Sequence, residues 1–332
     1  MQTNLFNIPD FSNIKAYRLP YMGSKNSISI PLMQKMLEIK PKAKYFYDLC
    51  GGGGAMSFTA LQLELKVYYN DLDSGVCNLI KYIQDRVSSN KRGNIGLYPN
   101  NWYKFVTREM FFEYKTQDTP YAEMIKICYS FGNGRSAYMF SKHLEGWKEL
   151  AHNFVMFQCE KSLKEFNQIK EVEFTLSNKK YWKDRWQHYK DDYRKLLQNN
   201  RQLQQLEQLQ QLQRLEQLQR LEQLQQLEQL QRLEQLEQLN ITNLPFQDVI
   251  IDTPAEETIV YIDPPYRNTQ KYKESVLHDQ VDDYFRNSKY SCFMSEYDAP
   301  HNCIFEIKKA KQFNNSSATK SYAIEKLYYN NE

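Results

Sequence analysis

The chain has 332 residues, a formal net charge of +3 and 41% hydrophobic residues, enough for one large domain or two smaller ones. It contains no 18-residue apolar run, and its six cysteines show neither a CxxC pair nor Cys/His spacing, which argues against a membrane span and a zinc site. The N-terminal MQTNLFNIPD lacks the basic and apolar regions of a signal peptide, so the expectation is a cytoplasmic protein with reduced thiols.

In chain order, Tyr21-Met22-Gly23-Ser24-Lys25 reads as a turn before a helix. Tyr45–Leu49 is predicted as a strand, Gly51–Gly54 as a flexible turn and Ala55–Leu65 as a helix. A second strand, Val67–Asn70, ends at Asp71, and a helix is predicted over Ser74–Val87. Together these make a βαβα unit. Residues 91–200 break the alternation; they are aromatic, charged and helix-rich, with a Gly-Asn-Gly turn at 132–134. Strands resume at 258–262 and 291–295 around a short helix at 279–288, and a hairpin of 304–313 with 322–329 follows. The expected fold is a doubly wound, mostly parallel α/β sheet built from 15–90 and 240–332, interrupted by a mainly helical 91–200 region.

A low-complexity stretch, 201–239, carries leucine at every third position from Leu203 to Leu239. On an α-helix a three-residue step moves each leucine back by about 60°. The thirteen leucines would therefore wind around the rod with no fixed face to bury, unlike a coiled-coil seam. The residues are strong helix formers, so a long helix or frayed helical spacer is expected, tolerated as an insertion. The stretch holds four Arg and six Glu, which leaves the remainder mildly basic at about +5 and compatible with a nucleic-acid partner.

The glycine turn after the first strand lets backbone amides approach a ligand, and no Lys-Ser/Thr follows to make it a phosphate loop of the Walker type. Asp71, 19 residues after Gly52, has the spacing of an acidic residue that takes nucleoside ribose hydroxyls; a helix N-cap is the alternative. The pair suits several adenosine ligands, NAD and S-adenosylmethionine among them. Lys25 can meet the carboxylate of the methionine part of the latter. Thr258–Ile262 reads as a buried parallel strand, and Asp263-Pro264-Pro265-Tyr266 stops it in a rigid loop. Open α/β sheets hold ligands at the carboxyl ends of their strands, so this turn fixes a carboxylate, a proline carbonyl and an aromatic face at a site.

In this order, Tyr21-x-Gly-x-Lys25, Asp48-Leu-Cys-Gly-Gly-Gly-Gly54, Asn70-Asp71 and Asp263-Pro-Pro-Tyr266 resemble the Dam-like, D12 class DNA N6-adenine methyltransferases, phage forms included. Tyr129–Arg135, Phe293–Tyr297 and the segment from Ser316 to Leu327 are similar to further elements of that family, so the resemblance covers roughly 15–160 and 240–330. The chain departs from the family pattern at Cys50, where Phe is usual, and at Tyr21, where Trp is common.

The resemblance implies S-adenosyl-L-methionine as cofactor, held by Tyr21, Lys25, Asp48, Gly52, Gly54, Asp71 and Asp263, and requires no metal. It implies a flipped adenine whose N6 donates to Asp263 and to the Pro264 carbonyl while Tyr266 stacks on the base. It further implies double-stranded DNA as partner, with 91–200 as the target-recognition region. A bacterial or phage-infected cytoplasm, a possible cognate restriction enzyme, and a monomer or weak dimer complete the picture. Arg135, Lys142, Lys271 and Lys273 flank predicted loops and can meet phosphates; Asn133 or Arg135 can read base edges. The rival readings are adenine methylation of RNA and a catalytically decayed DNA-binding module.

Overall fold

The computed structural model describes residues 9–21, 23–91, 100–131, 134–199, 230, 233–266, 275–310 and 322–331. The chain divides into two compact units, one formed by 1–95 with 226–332 and the other by 96–225.

The first unit contains a seven-stranded sheet in the order β3-β2-β1-β4-β5-β7-β6. Its strands are β1 (Tyr45–Asp48), β2 (Lys66–Asn70), β3 (Asn240–Thr242), β4 (Thr258–Ile262), β5 (Ser291–Glu296), β6 (Cys303–Ala310) and β7 (Tyr322–Tyr329). β1 to β5 pair in parallel, and β7 runs antiparallel between β5 and β6. The expected doubly wound α/β sheet is therefore present. β4 is buried at all five positions because parallel neighbours flank it on both edges and helices cover parallel sheets. Strand order reverses between β1 and β4, and the crevice at that switch point, beyond the carboxyl ends of the two strands, is where such sheets take ligands.

The crossover helices follow from the chain's punctuation. α1 (Ser29–Ile39) precedes β1, α2 (Ala55–Gln62) joins β1 to β2, and α3 (Ser74–Lys91) follows β2. Gly54 starts α2 at φ +76°, and a Cβ there would lie 2.4 Å from the Phe58 ring, so only glycine fits. The helix predicted around 279–288 is longer at its start, spanning Ser275–Asn287 (α9 below). A core of Tyr47, Val260, Ile262, Phe285, Cys292 and Met294 joins α9 to the middle of the sheet.

The described helices of the second unit are α4 (Arg108–Lys115), α5 (Pro120–Cys128), α6 (Lys142–Phe157), α7 (Glu160–Lys170) and α8 (Trp182–Asn199). Thr107 and Thr119 cap α4 and α5 with side-chain oxygens, and Pro120 supplies the first residue of α5. Phe154, Leu163, Phe166 and Tyr189 form the core of its C-terminal half.

The leucine repeat departs from expectation at its C-terminal end. Leu230, Leu233, Leu236 and Leu239 are all buried, the first and third completely. Residues 234–238 form a 3₁₀-helix, not an α-helix. The amides of Leu233, Leu236 and Leu239 each donate to the carbonyl of the preceding leucine, at 3.1, 3.0 and 3.2 Å. A three-residue period drifts around an α-helix but stays on one face of a helix with three residues per turn. That face packs against α2 and α3, and the Gln84 side-chain amide of α3 donates to the carbonyls of Leu236 and Leu239 at 3.0 and 2.8 Å. The tail of the repeat is thus part of the first unit's core and leads directly into edge strand β3; the earlier triplets lie outside the described residues.

Candidate functional site

A cleft of about 960 Å³ opens at the switch point, lined by the Tyr21–Lys25 turn, the β1–α2 glycine turn, Asp71 and the Asp263–Tyr266 turn. Four segments separated by up to 241 residues therefore line one cleft.

The glycine turn is held by protein contacts as much as it is opened to a ligand. Gly51 donates its amide to the Asn70 carbonyl at 2.8 Å, and a Cβ on it would come within 2.2 Å of the Tyr69 ring. Tyr69 donates its hydroxyl to the Gly52 carbonyl, and Tyr21 packs on Gly52 and Gly53. Asn70, wholly buried, donates to the carbonyls of Leu49 and Leu244 and accepts from the Leu244 amide, tying the ends of β1, β2 and β3 into one rim. Asp71 accepts the Gly52 amide on one oxygen and the Asp73 amide on the other, at 2.7 and 2.8 Å. It is not the cap of α3, since Asp73 accepts the Gly75 amide there. Leu72, exposed at the rim beside it, adds an apolar surface.

Asp48 gives the site's own evidence for a ligand. It is buried, its Oδ2 accepts the Ser57 hydroxyl at 2.7 Å, and its Oδ1 has no hydrogen-bond partner among the described residues. Burial pushes its pKa up to about 7; the Ser57 hydrogen bond opposes the shift and the charges of Asp263 and Asp71 add to it. An orphaned buried carboxylate oxygen is costly, and a cationic donor would complete it. Together with Asp71, these residues fit a nucleoside that carries an ammonium group, which S-adenosylmethionine does. Cys50, where the family pattern has Phe, lines the cleft half-buried, and its thiol is pushed well up by burial and by Asp71 and Asp263.

Beyond the end of β4, the strand beside β1, Asp263 and Tyr266 meet Lys25. Lys25 is buried; its Nζ lies 2.5 Å from Asp263 Oδ1 and 3.5 Å from Glu325 Oε1, and it donates to the Tyr266 hydroxyl. Burial alone would lower the ammonium's pKa, but Asp263 and Glu325 outweigh it and raise it, so the lysine is charged. Burial, reinforced by Glu325 and opposed by Lys25, raises the Asp263 carboxyl, making it a better proton acceptor than a solvated aspartate. Tyr266 donates to Glu325 and stands against Tyr297, ring centroids 4.4 Å apart. Lys25 is thus engaged by the Asp263–Tyr266 turn within the protein.

Sequence reasoning missed Glu325, Lys309 and Tyr297. Lys309 on β6 lies 3.7 Å from Glu325 and donates to the Gly23 carbonyl at 3.4 Å. Burial and the nearby Lys25 lower it to about 8. Tyr297 and Glu325 lie in segments similar to elements of the family, but their roles in the site depend, like that of Lys309, on the pairing of β5, β6 and β7.

In the second unit, Arg135 adopts φ +59° and its guanidinium lies 2.7 Å from the carboxylate of Glu123, which is buried on α5. Lys126 meets the same carboxylate at 2.9 Å. Lys142 is exposed at the first turn of α6. Asn133, Lys271 and Lys273 lie outside the described residues. No helix among the described residues is long and apolar enough to cross a membrane.

The family model of the D12 class N6 adenine-specific DNA methyltransferases matches residues 21–331. No individual curated protein matches the chain.

Proposed function

Since the chain belongs to the D12 class N6 adenine-specific DNA methyltransferases, we propose that it methylates N6 of an adenine in double-stranded DNA, using S-adenosyl-L-methionine, at the Asp263–Tyr266 turn. The observation that carries this reading is the meeting of Lys25, Asp263 and Tyr266 in one cleft with an orphaned Asp48 oxygen and a nucleoside-type acidic residue, Asp71.

The cofactor supplies an electrophilic methyl group on sulfur; Asp48, Asp71, Tyr21 and the Gly52–Gly54 turn would hold it. The chemistry left to the protein is to make a poor nucleophile react. The adenine N6 lone pair is delocalised into the ring, so the amine must lose some of that conjugation. Asp263 accepts one N6 hydrogen and the Pro264 carbonyl accepts the other, which favours a more tetrahedral nitrogen. Tyr266 stacks on the base, which has to leave the duplex to reach such a cleft. Asp263 needs no covalent step; it acts by placement and charge. Lys142 and Arg135 are proposed as DNA contacts, Lys142 at a phosphate.

The direct test is incubation of the protein with labelled cofactor and separate DNA and RNA duplexes, followed by nucleoside digestion and mass spectrometry. N6-methyladenine is expected in DNA; label in RNA alone, or no transfer by a protein that still binds cofactor, refutes the proposal.

A pH prediction follows from Asp48. Its carboxyl, raised to about 7, takes up a proton in the free protein as pH falls through that value. The ionised form is the one that meets an ammonium, so binding must expel that proton at low pH. Cofactor affinity is therefore expected to fall by up to about tenfold per pH unit below 7. Equilibrium dialysis from about pH 8 to about pH 5.5 checks this. Asp48→Asn should bind more weakly at neutral pH with a flat profile, and an equally steep profile in that variant contradicts the assignment.

A further inference from the structure

We propose that Glu325 is a positioning residue that fixes Lys25 and Tyr266 around Asp263, an inference that rests on the adenine-methylation reading above. Glu325 sits in β7, between β5 and β6, and is completely buried. A carboxylate in that position does nothing for a sheet that an apolar side chain would not do better, because desolvation offsets most of what its ion pairs return. Its partners instead come from three separate segments, all of them at the cleft. Tyr266 donates its hydroxyl to Oε1, Lys25 lies 3.5 Å from that same oxygen, and Lys309 lies 3.7 Å from Oε2.

The directions of these hydrogen bonds matter. Lys25 donates to the Tyr266 oxygen, so that hydroxyl must point its own hydrogen elsewhere, and Glu325 is the acceptor that takes it. The chain Lys25 to Tyr266 to Glu325 has one polarity and one geometry, and it locks the ring on which the base would stack. Charge supports the same conclusion. Two ammonium groups, Lys25 and Lys309, face two carboxylates, Asp263 and Glu325. Without the Glu325 charge both lysines turn to Asp263, and its capacity to accept a hydrogen from the substrate amine is drawn away.

Glu325→Gln keeps the volume and an oxygen to accept from Tyr266 but removes the charge. At saturating cofactor, kcat on DNA is expected to fall roughly 10- to 100-fold, with cofactor affinity within about twofold of wild type. Tyr266→Phe deletes the hydroxyl and keeps the ring, so the two substitutions together should cost less than the product of their separate effects. An unchanged kcat in Glu325→Gln, a loss confined to cofactor affinity, or strictly multiplicative effects overturns the proposal. A second readout needs no turnover. With ¹⁵N-lysine labelling, the protected Lys25 ammonium resonance, identified by its loss in Lys25→Met, should move in Glu325→Gln. An unmoved resonance also overturns the proposal. A wild-type protein that methylates no adenine counts against the reaction instead, and the resonance comparison then decides the role of Glu325 alone.

Discussion

Replacing Asp263 by alanine is expected to lower methyl transfer to DNA by about 10²- to 10³-fold at saturating cofactor, with the fold intact. The size of the loss follows from what the carboxylate does. It is a charged acceptor that Lys25 holds at 2.5 Å, and the Pro264 carbonyl cannot bind both hydrogens of an amine. The fold survives for two reasons. Lys25 keeps Glu325 at 3.5 Å, so the substitution does not strand a buried ammonium. Asp263 also follows the end of β4 and lines the open cleft with its side chain 20% exposed, so its truncation leaves no enclosed cavity in the core. Circular dichroism and thermal melting check the fold; labelled-methyl transfer checks the rate. A variant within about tenfold of wild-type kcat would remove Asp263 from the reaction.

The site's residues differ in how far they could be read in advance. Asp263-Pro-Pro-Tyr266 is local: an unbroken apolar run and two prolines define both the strand and its stop. Its place in the sheet follows from topology rules that hold for any such run. Asp71 was equally legible by spacing, although its present hydrogen bonds to Gly52 and Asp73 could not be deduced. Glu325 is the opposite case. In Tyr322–Tyr329 it adjoins Lys326, and period-two alternation puts one inward and the other outward without saying which. The register of β7 between β5 and β6 decides that, and register is a long-range property. Arg135 shows a second limit. A basic residue beside a Gly-Asn-Gly turn suggests DNA, yet its nearest charge is Glu123, twelve residues earlier on α5.

The leucine repeat supports a prediction about register that no other segment of the chain allows. Deleting three residues, Glu234-Gln235-Leu236, is expected to leave the melting temperature nearly unchanged. Deleting Gln235 alone is expected to lower it by about 10 °C. The three-residue deletion moves Leu233 into the place of Leu236, and each upstream leucine shifts by one unit, so the same row of leucines meets α2 and α3. The amide-to-carbonyl ladder from leucine to leucine is rebuilt with the same spacing. The single deletion breaks the period. It turns polar side chains toward α3 and strips leucines from positions where they are now at most 4% exposed. Each lost leucine costs about 2 to 5 kcal/mol, and a few kcal/mol in a unit of this size shift melting by several degrees each. If both deletions are equally harmless, the packed leucine row does not contribute to stability; if both are equally damaging, sequence specific to Glu234–Leu236, and not the period, holds the segment in place. The expected contrast would also show why a chain can gain or lose whole triplets of this repeat and keep its fold.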